Sequence, residues 1–439
     1  MPGSPIVLPA EPTLQTSARV QPATLELILL FIALILFSEG VLPRLVAAEE
    51  TAEGSPLLRL VWLPVYAAAL AGIFWKFKAV AKTALRMPFM VALIGLSAAS
   101  FLWSIDPGLS QRRGFAVAMT CAAGMFLGTR YDWQTLLRML GMAWLTVTVL
   151  SFLTGLLNPG FGVMSEIHVG AWKGLYYEKN QLGGHMARAA FLCGFLFVMD
   201  RRWRLVWAFG VFLCALLVLL STSKTALLGL LLGMAVLGIG AWMKRGVVTG
   251  ISTAWLGVAI IGALAGVMVF APELIFAALG RDASLTGRTD IWVTLVDMIS
   301  QRPMLGYGYG AFWAVDSEPA YWVREVLEWD APTAHNGWLE VAIGLGLIGL
   351  ACLVLDFLIT LARAMRSSLD TWTGIFALGF CAQFLLFSLS ESISLQQNAL
   401  IWVTYVAVAA KLANRPRNVT PQVAVRVRRP ARRLPKDAR

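Results

Sequence analysis

The chain has 439 residues, of which 58% are hydrophobic and 14% charged, with a formal net charge of +11 and a mean hydropathy of +0.71. Apolar runs of about twenty residues recur along it, each long enough to cross a ~30 Å hydrocarbon layer as a helix, which excludes a water-soluble globular protein. The positive charge is not a nucleic-acid footprint either, because it lies in short flanks between apolar runs and in the C-terminal tail, the pattern of a topology signal.

Taken in order, residues 1–22 contain Pro, Thr and Ser with a single Arg19, and they lack the charged start and cleavage site of a secretory signal. They read as a short disordered cytoplasmic lead. Twelve spans are expected, at roughly 24–43, 57–75, 87–103, 114–129, 139–157, 185–200, 205–221, 225–243, 250–271, 335–361, 371–390 and 398–411. The fold class is therefore all-α and polytopic, with one membrane domain over residues 23–411 and a large loop, 272–334, between the ninth and tenth helices. With the amino terminus cytoplasmic, the inner flanks carry Lys76, Lys78, Lys82 and Arg86, then Arg130 and Arg138, then Arg201, Arg202 and Arg204, then Lys244 and Arg245, then Arg363 and Arg366. Adding Arg19 and the tail brings this to 24 of the 36 Lys and Arg residues, in line with the positive-inside rule.

That orientation places the 158–184 loop, the Ser221–Lys224 turn and the 272–334 loop on the periplasmic side. The large loop holds nine acids and four bases, so it is acidic within a basic protein. Thr289 to Ile299 is expected to form an amphipathic helix, with Ile291, Leu295 and Met298 on one side. Trp313, Tyr321, Trp322 and Trp329 suit either an interfacial aromatic belt or sugar stacking. Residues 412–439 form a Pro- and Arg-rich tail, including Arg426, Arg428, Arg429, Arg432 and Arg433, which reads as disordered and drawn to anionic headgroups, with partner docking as the lesser reading. Cys121, Cys193, Cys214, Cys352 and Cys381 all fall in apolar runs, so no disulfide framework or thiolate metal site is expected.

The candidate chemistry concentrates in and beside the large loop. His335 opens a span and is a side chain able to accept a proton near neutral pH; the bland alternative is a helix cap. Asn336 and Glu340 follow, and a carboxylate there either orients His335 or forms a structural ion pair. Arg288 offers a planar, permanently charged fork suited to phosphate, against a surface pair with Asp282 or Asp290. Arg302 fixes the loop or contacts lipid or diphosphate, and Tyr307 and Tyr309 alternate with Gly306, Gly308 and Gly310 in a backbone that must turn tightly beside something large. Lys224 lies between two apolar runs with almost no loop and needs an anion or must snorkel. Lys179 and Asn180 sit in the second periplasmic loop, and Arg112 and Arg113 follow the Asp106-Pro107 turn, where an anionic partner competes with packing against the acidic loop. Glu391 is a further costly carboxylate with no partner visible in the sequence, and His185 reads as a buried helix-start histidine.

Three motifs in order, Thr286-Gly287-Arg288, then Arg302-Pro303-x-x-Gly306-Tyr307-Gly308, then His335-Asn336-Gly337-x-Leu339-Glu340 ahead of a hydrophobic helix, resemble the O-antigen ligase/polymerase superfamily, including its exopolysaccharide-polymerase branch. The likeness extends from about Leu85 to about Lys411. It implies a bacterial inner-membrane glycosyltransferase using polyprenyl-diphosphate-linked sugars as donor and acceptor, with His335 as base on the acceptor hydroxyl and Arg288 on the diphosphate. Two departures stand out: Lys224 occupies a place where the family often has arginine, and Glu178 precedes Lys179-Asn180 where it often has histidine. The expected reaction is an inverting transfer on the periplasmic face with no cofactor and no metal, since fixed cations can take the leaving-group charge. The product is an exopolysaccharide or O-antigen-type polymer, with export or chain-length-control proteins as further partners. Ligation of glycan to lipid A core shares the same donor chemistry. From other classes, a transporter or flippase of lipid-linked sugars and a non-catalytic export scaffold remain, and they differ in where the essential charges lie and whether His335 is needed.

Overall fold

The computed structural model describes residues 22–41, 56–166, 168–244, 246 and 288–414. The expected span 250–271, the start of the large loop with Thr286 and Gly287, most of the lead and nearly all of the basic tail lie outside the described residues.

The described chain is helical. In order come α1 (Thr24–Leu36), α2 (Pro56–Trp75), α3 (Phe77–Ala84), α4 (Pro88–Ala99), α5 (Pro107–Arg130), α6 (Trp133–Leu157), α7 (Lys179–Met199), α8 (Arg204–Leu220), α9 (Lys224–Met243), α10 (Arg288–Gln301), α11 (Glu318–Leu327), α12 (Gly337–Asp370), α13 (Trp372–Ser388) and α14 (Leu400–Ala413). These helices overlap every expected span except 250–271. Five stretches, α6, α7, α8 with the turn before it, α9 and α12, are long and apolar enough to cross a membrane, and α2 with α3 makes a sixth if the pair, bent by 94° around Lys76, counts as one. α1, α4, α13 and α14 are apolar but shorter. The protein is thus an all-helical, multi-pass membrane protein, with fewer full-length spans among the described residues than the twelve expected.

Short polar caps start the helices where the sequence asks for them. Asp106, Asp132, Ser223, Ser317, Asn336 and Thr371 each accept a backbone N–H from the first turn of the helix that follows, satisfying donors that no helix can satisfy itself. The core is centred on α14, which is buried along nearly its whole length between α5 and α12, and on α7, packed against α8 and α9. Gly124 and Gly128 of α5 let α14 approach closely, since a Cβ at Gly128 would stand 2.4 Å from the Ala407 carbonyl oxygen.

Polar groups sort to the two ends. At one end Arg130 pairs with Glu26 at 3.0 Å, Arg138 grips Asp200 at 2.6 and 2.7 Å, Lys411 donates to the Tyr131 carbonyl, and Arg86, Arg363 and Lys244 cap carbonyls of Ala413, Arg86 and Leu369. This is the basic end. At the other, the loop 302–336 forms a cap with a small apolar core of its own, built from Ile291, Leu295, Tyr307, Phe312, Val323 and Ile343. The amphipathic helix expected over Thr289 to Ile299 is α10, whose Ile291 and Leu295 are buried as the periodicity requires.

The cap is tied to the membrane helices by backbone. α12 is broken at Gly346, where φ is +67° and ψ −170°. The groups freed by the break are taken by the loop: Tyr307 N–H donates to Ile343 O and Gly308 N–H to Gly344 O, both at 2.9 Å, while Leu347 N–H donates to Pro303 O at 2.7 Å. Non-helical backbone at membrane depth persists only where protein satisfies it in this way. Gly306 and Gly346 face each other across this seam, both at positive φ. A Cβ at Gly346 would lie 2.2 Å from Met304 O, and one at Gly306 would lie 2.6 Å from Ile343 O. Gly346→Ala and Gly306→Ala are each expected to cost at least about 2 kcal/mol, from backbone strain and overlap with main-chain atoms. Gly95→Ala, where a Cβ meets nothing within 4 Å, is the control. Thermal unfolding of the three purified variants checks this, and equal midpoints would contradict the seam.

Candidate active site

The 302–336 cap, the 104–107 turn, the end of α1, the start of α7 and the segment between α13 and α14 surround a cavity of about 1700 Å³. Its walls are mixed. Trp62, Leu63, Tyr66, Val341, Leu345 and Ile401 give it apolar lining, and Arg112, Arg113, Arg188, Arg302, His185, His335, Glu39, Glu340 and Glu391 are among its polar and charged lining.

His335 stands just before α12, held by the N-cap at Asn336, whose Oδ1 accepts from Trp338 N–H at 3.0 Å and Leu339 N–H at 3.2 Å. The turn puts His335 itself at φ +46°, a left-handed conformation that a residue with a Cβ adopts at a cost and that tends to persist where the surroundings fix it. Its ring stacks on Trp329 with centroids 6.4 Å apart. Its Nδ1 is buried, without a hydrogen bond, and 3.6 Å from Glu391 Oε2. That is an electrostatic contact, longer than a normal hydrogen bond. The other oxygen of Glu391 accepts from Arg288 Nη2 at 3.1 Å. Glu391 is therefore the carboxylate that joins His335 to Arg288, across 103 positions of sequence.

The remaining candidates divide. Glu340 lines the cavity, but its Oε2 accepts from Ala334 N–H at 2.9 Å and Ser392 Oγ at 3.2 Å, so it braces the turn that carries His335. Asn336 serves as the cap. Arg302 and Tyr309 line the cavity; Arg302 lies over the Tyr307 ring at 5.0 Å, and the Tyr309 hydroxyl donates to Leu395 O, pinning the segment after Glu391. Tyr307 turns away into the cap, donating to Met298 O at 3.0 Å, and burial pushes its hydroxyl pKa up while the Arg302 charge opposes this. Asn180 reaches the cavity wall. Lys179, Lys224 and Arg288 do not line it: Lys179 Nζ donates to Thr222 Oγ1 at 3.3 Å, beside the turn that starts α9 with Lys224 exposed, and Arg288 enters only through Glu391. Arg113 donates to Gly310 O, which favours packing against the loop over an anionic partner, whereas Arg112 is exposed on the cavity wall. Trp313 is half-buried in the cap, and Tyr321, Trp322 and Trp329 are exposed. Among the described residues no group of three His, Cys, Asp or Glu side chains is placed to hold a metal ion.

Fold and site together define a polytopic helical membrane protein with a polar cap over a large amphiphilic cavity, and with a histidine, a glutamate and an arginine gathered at one end. The O-antigen ligase family model matches residues 209–354, from α8 through the break in α12. The exopolysaccharide production protein ExoQ of Rhizobium meliloti (strain 1021) is 28% identical over 273 residues, 58% of this chain and 60% of that protein. The chain thus spans about three fifths of the length of that relative. Both findings support the O-antigen ligase/polymerase superfamily that the motifs resemble.

The Arg288–Glu391 pair is only partly exposed on both sides, so breaking it is expected to leave a charge with poor solvation. Glu391→Gln and Arg288→Gln should each lower stability by about 1–3 kcal/mol, and the double variant should lose less than the sum. Unfolding curves of the four purified proteins measure the coupling; strictly additive losses would contradict the pair.

Proposed function

We propose that this chain is a glycosyltransferase of the bacterial inner membrane, which polymerises lipid-diphosphate-linked repeat units into an exopolysaccharide or O-antigen-type polysaccharide at the periplasmic face. The observation that carries this reading is the His335–Glu391–Arg288 group, of which His335 and Glu391 line the cavity and Arg288 stands behind Glu391. Glu391 beside Nδ1 favours the imidazole tautomer protonated there and leaves Nε2 to accept a proton, the arrangement a general base needs. The acceptor hydroxyl gives its proton to Nε2, and its oxygen forms the new bond to the anomeric carbon. The bond from that carbon to the diphosphate oxygen breaks, the lipid diphosphate leaves with the electron pair, and the configuration inverts. Fixed arginines take up the charge that develops on the leaving group, which makes the proposed transfer metal-independent.

The periplasmic placement is supported by the separation of charge, with Arg86, Arg130, Arg138, Lys244, Arg363 and Lys411 engaged at the end remote from the cavity. An acceptor on lipid A core is the second reading, favoured by the description of the matching family model.

In a deletion strain complemented with His335→Ala, polymer output is expected to fall by about 10²–10⁴-fold at unchanged membrane levels, the usual loss of a general base, with lipid-linked single repeats accumulating on the periplasmic side. Arg288→Ala should behave likewise. Normal polymer from both variants would sink the mechanism and favour a scaffold. Repeat units trapped on the cytoplasmic side would point to transport, and polymer of normal length left unattached to core would point to ligation.

A further inference from the structure

A second polar group lies on the cavity wall, formed by Glu39, Tyr176, His185 and Arg188, and neither the motifs nor the proposed chemistry uses it. Glu39, in the turn after α1, is held at φ +62° and sets its Oε2 3.6 Å from His185 Nε2. The Tyr176 ring stacks on the imidazole with centroids 4.7 Å apart. Arg188 follows His185 by three positions on α7, which puts the two on one face of that helix. Its guanidinium lies over the Phe387 ring at 4.2 Å.

Arg188 is the unusual member. It is 3% exposed, and nine residues past Lys179 it stands roughly 13 Å along a membrane helix from the polar start. A charge there is retained only with a partner or a water-filled cavity, since a guanidinium cannot shed its proton. Glu39 and Glu391 are its electrostatic counterweights, yet among the described residues no carboxylate forms an ion pair with it. Its Nε is buried without a hydrogen-bond partner, and so is Nδ1 of His185. By contrast Arg130, Arg138, Arg288 and Arg324 each form an ion pair with a carboxylate at 2.6–3.1 Å.

We propose that Arg188, flanked by His185 and Tyr176, is an oxyanion subsite that takes a phosphate or carboxylate of a glycan substrate, built from residues other than His335 and Arg288. The proposal rests on the glycosyltransferase reading only for what carries the anion. A polymerising site must hold two anionic amphiphiles at once, and the two histidine–glutamate groups on one cavity supply two places for them. Arg288, already committed to Glu391, cannot serve both.

The test uses full-length protein in phosphatidylcholine nanodiscs and measures equilibrium binding of farnesyl diphosphate, inorganic pyrophosphate and digalacturonate. Wild type is expected to bind at least one of these, Arg188→Gln to bind it at least tenfold more weakly, and Arg188→Lys to fall between because it keeps the charge and loses the fork. Glu39→Gln is expected to bind several-fold more tightly, by removing a competing anion, and it remains informative if Arg188→Gln does not fold. Binding of the diphosphates alone assigns the anion to the lipid carrier, and binding of digalacturonate alone assigns it to an acidic sugar. Wild type that binds none of the three, or Arg188→Gln that binds as wild type does, overturns the proposal. Failure of the polymerase reading shows separately, as normal polymer from His335→Ala, and leaves the binding result standing.

Discussion

The interruption of α12 at Gly346 is the constraint on which the rest of the site depends. A helix that stops inside the membrane region exposes donors and acceptors that lipid cannot satisfy, and the 303–308 backbone satisfies them with main-chain hydrogen bonds. Docking there fixes the cap in register with α12, and the same segment is stitched on its far side to the 104–110 turn through Ile105, Ser104 and Ser110. Everything above the break follows from that register. The cap closes on its own apolar core, Trp292 bonds the Ala334 carbonyl at 3.0 Å, and His335 arrives beside Glu391. The alternating glycines of Gly306-Tyr-Gly308-Tyr-Gly310 are thus first a docking surface, with Ser104 lying where a Cβ on Gly308 would fall.

Seen from the basic end, the same molecule is held by charge. The Arg138–Asp200 pair joins α6 to the end of α7 and is reinforced by the Trp207 indole at 3.2 Å, while Arg130 and Tyr131 both reach Glu26 at the start of α1. These contacts brace the helices at one end, while the other end is left with an open, partly charged interior. A bundle built in this way separates rigidity from chemistry. The apolar packing of α14 against α5 at Gly124 and Gly128 carries that bracing through the middle.

How much could be read in advance follows from sequence distance. The existence of the helices and the amphipathic face of α10 were legible, because periodicity is a local signal, but the helices expected from 114, 139 and 185 begin at Pro107, Trp133 and Lys179, where polar residues of the first turns hide the start. The partner of Glu391 was not, since Arg288 lies 103 positions away and no local pattern relates them. Glu340 looked like the carboxylate for His335 because it is near in sequence, yet the turn directs it to Ala334 and Ser392. The Glu39–His185 contact joins the turn after α1 to α7 over a long stretch of sequence, so His185 read first as a buried helix-start histidine, with a part in place of the family histidine that Glu178 replaces as the lesser reading. Lys224 drew attention as a cation beside a very short turn, and Lys179 as part of the Lys-Asn pair that resembles the family motif, but neither side chain lines the cavity. Two arginines of the 106–113 turn looked equivalent; both line the cavity, and only the fold separates Arg113, bonded to the cap carbonyl of Gly310, from the exposed Arg112.

The mixed lining of the cavity has a consequence at the bench. With Trp62, Leu63, Val341 and Ile401 in its lining together with several arginines, it offers an entering molecule both kinds of contact that a surfactant makes, apolar for a tail and charged for a headgroup. A detergent used to extract the protein is therefore also a competitor for it. Anionic or bulky-headed surfactants fit that lining as well as a membrane lipid does, and any binding recorded in vitro will depend on the micelle as well as on the ligand added.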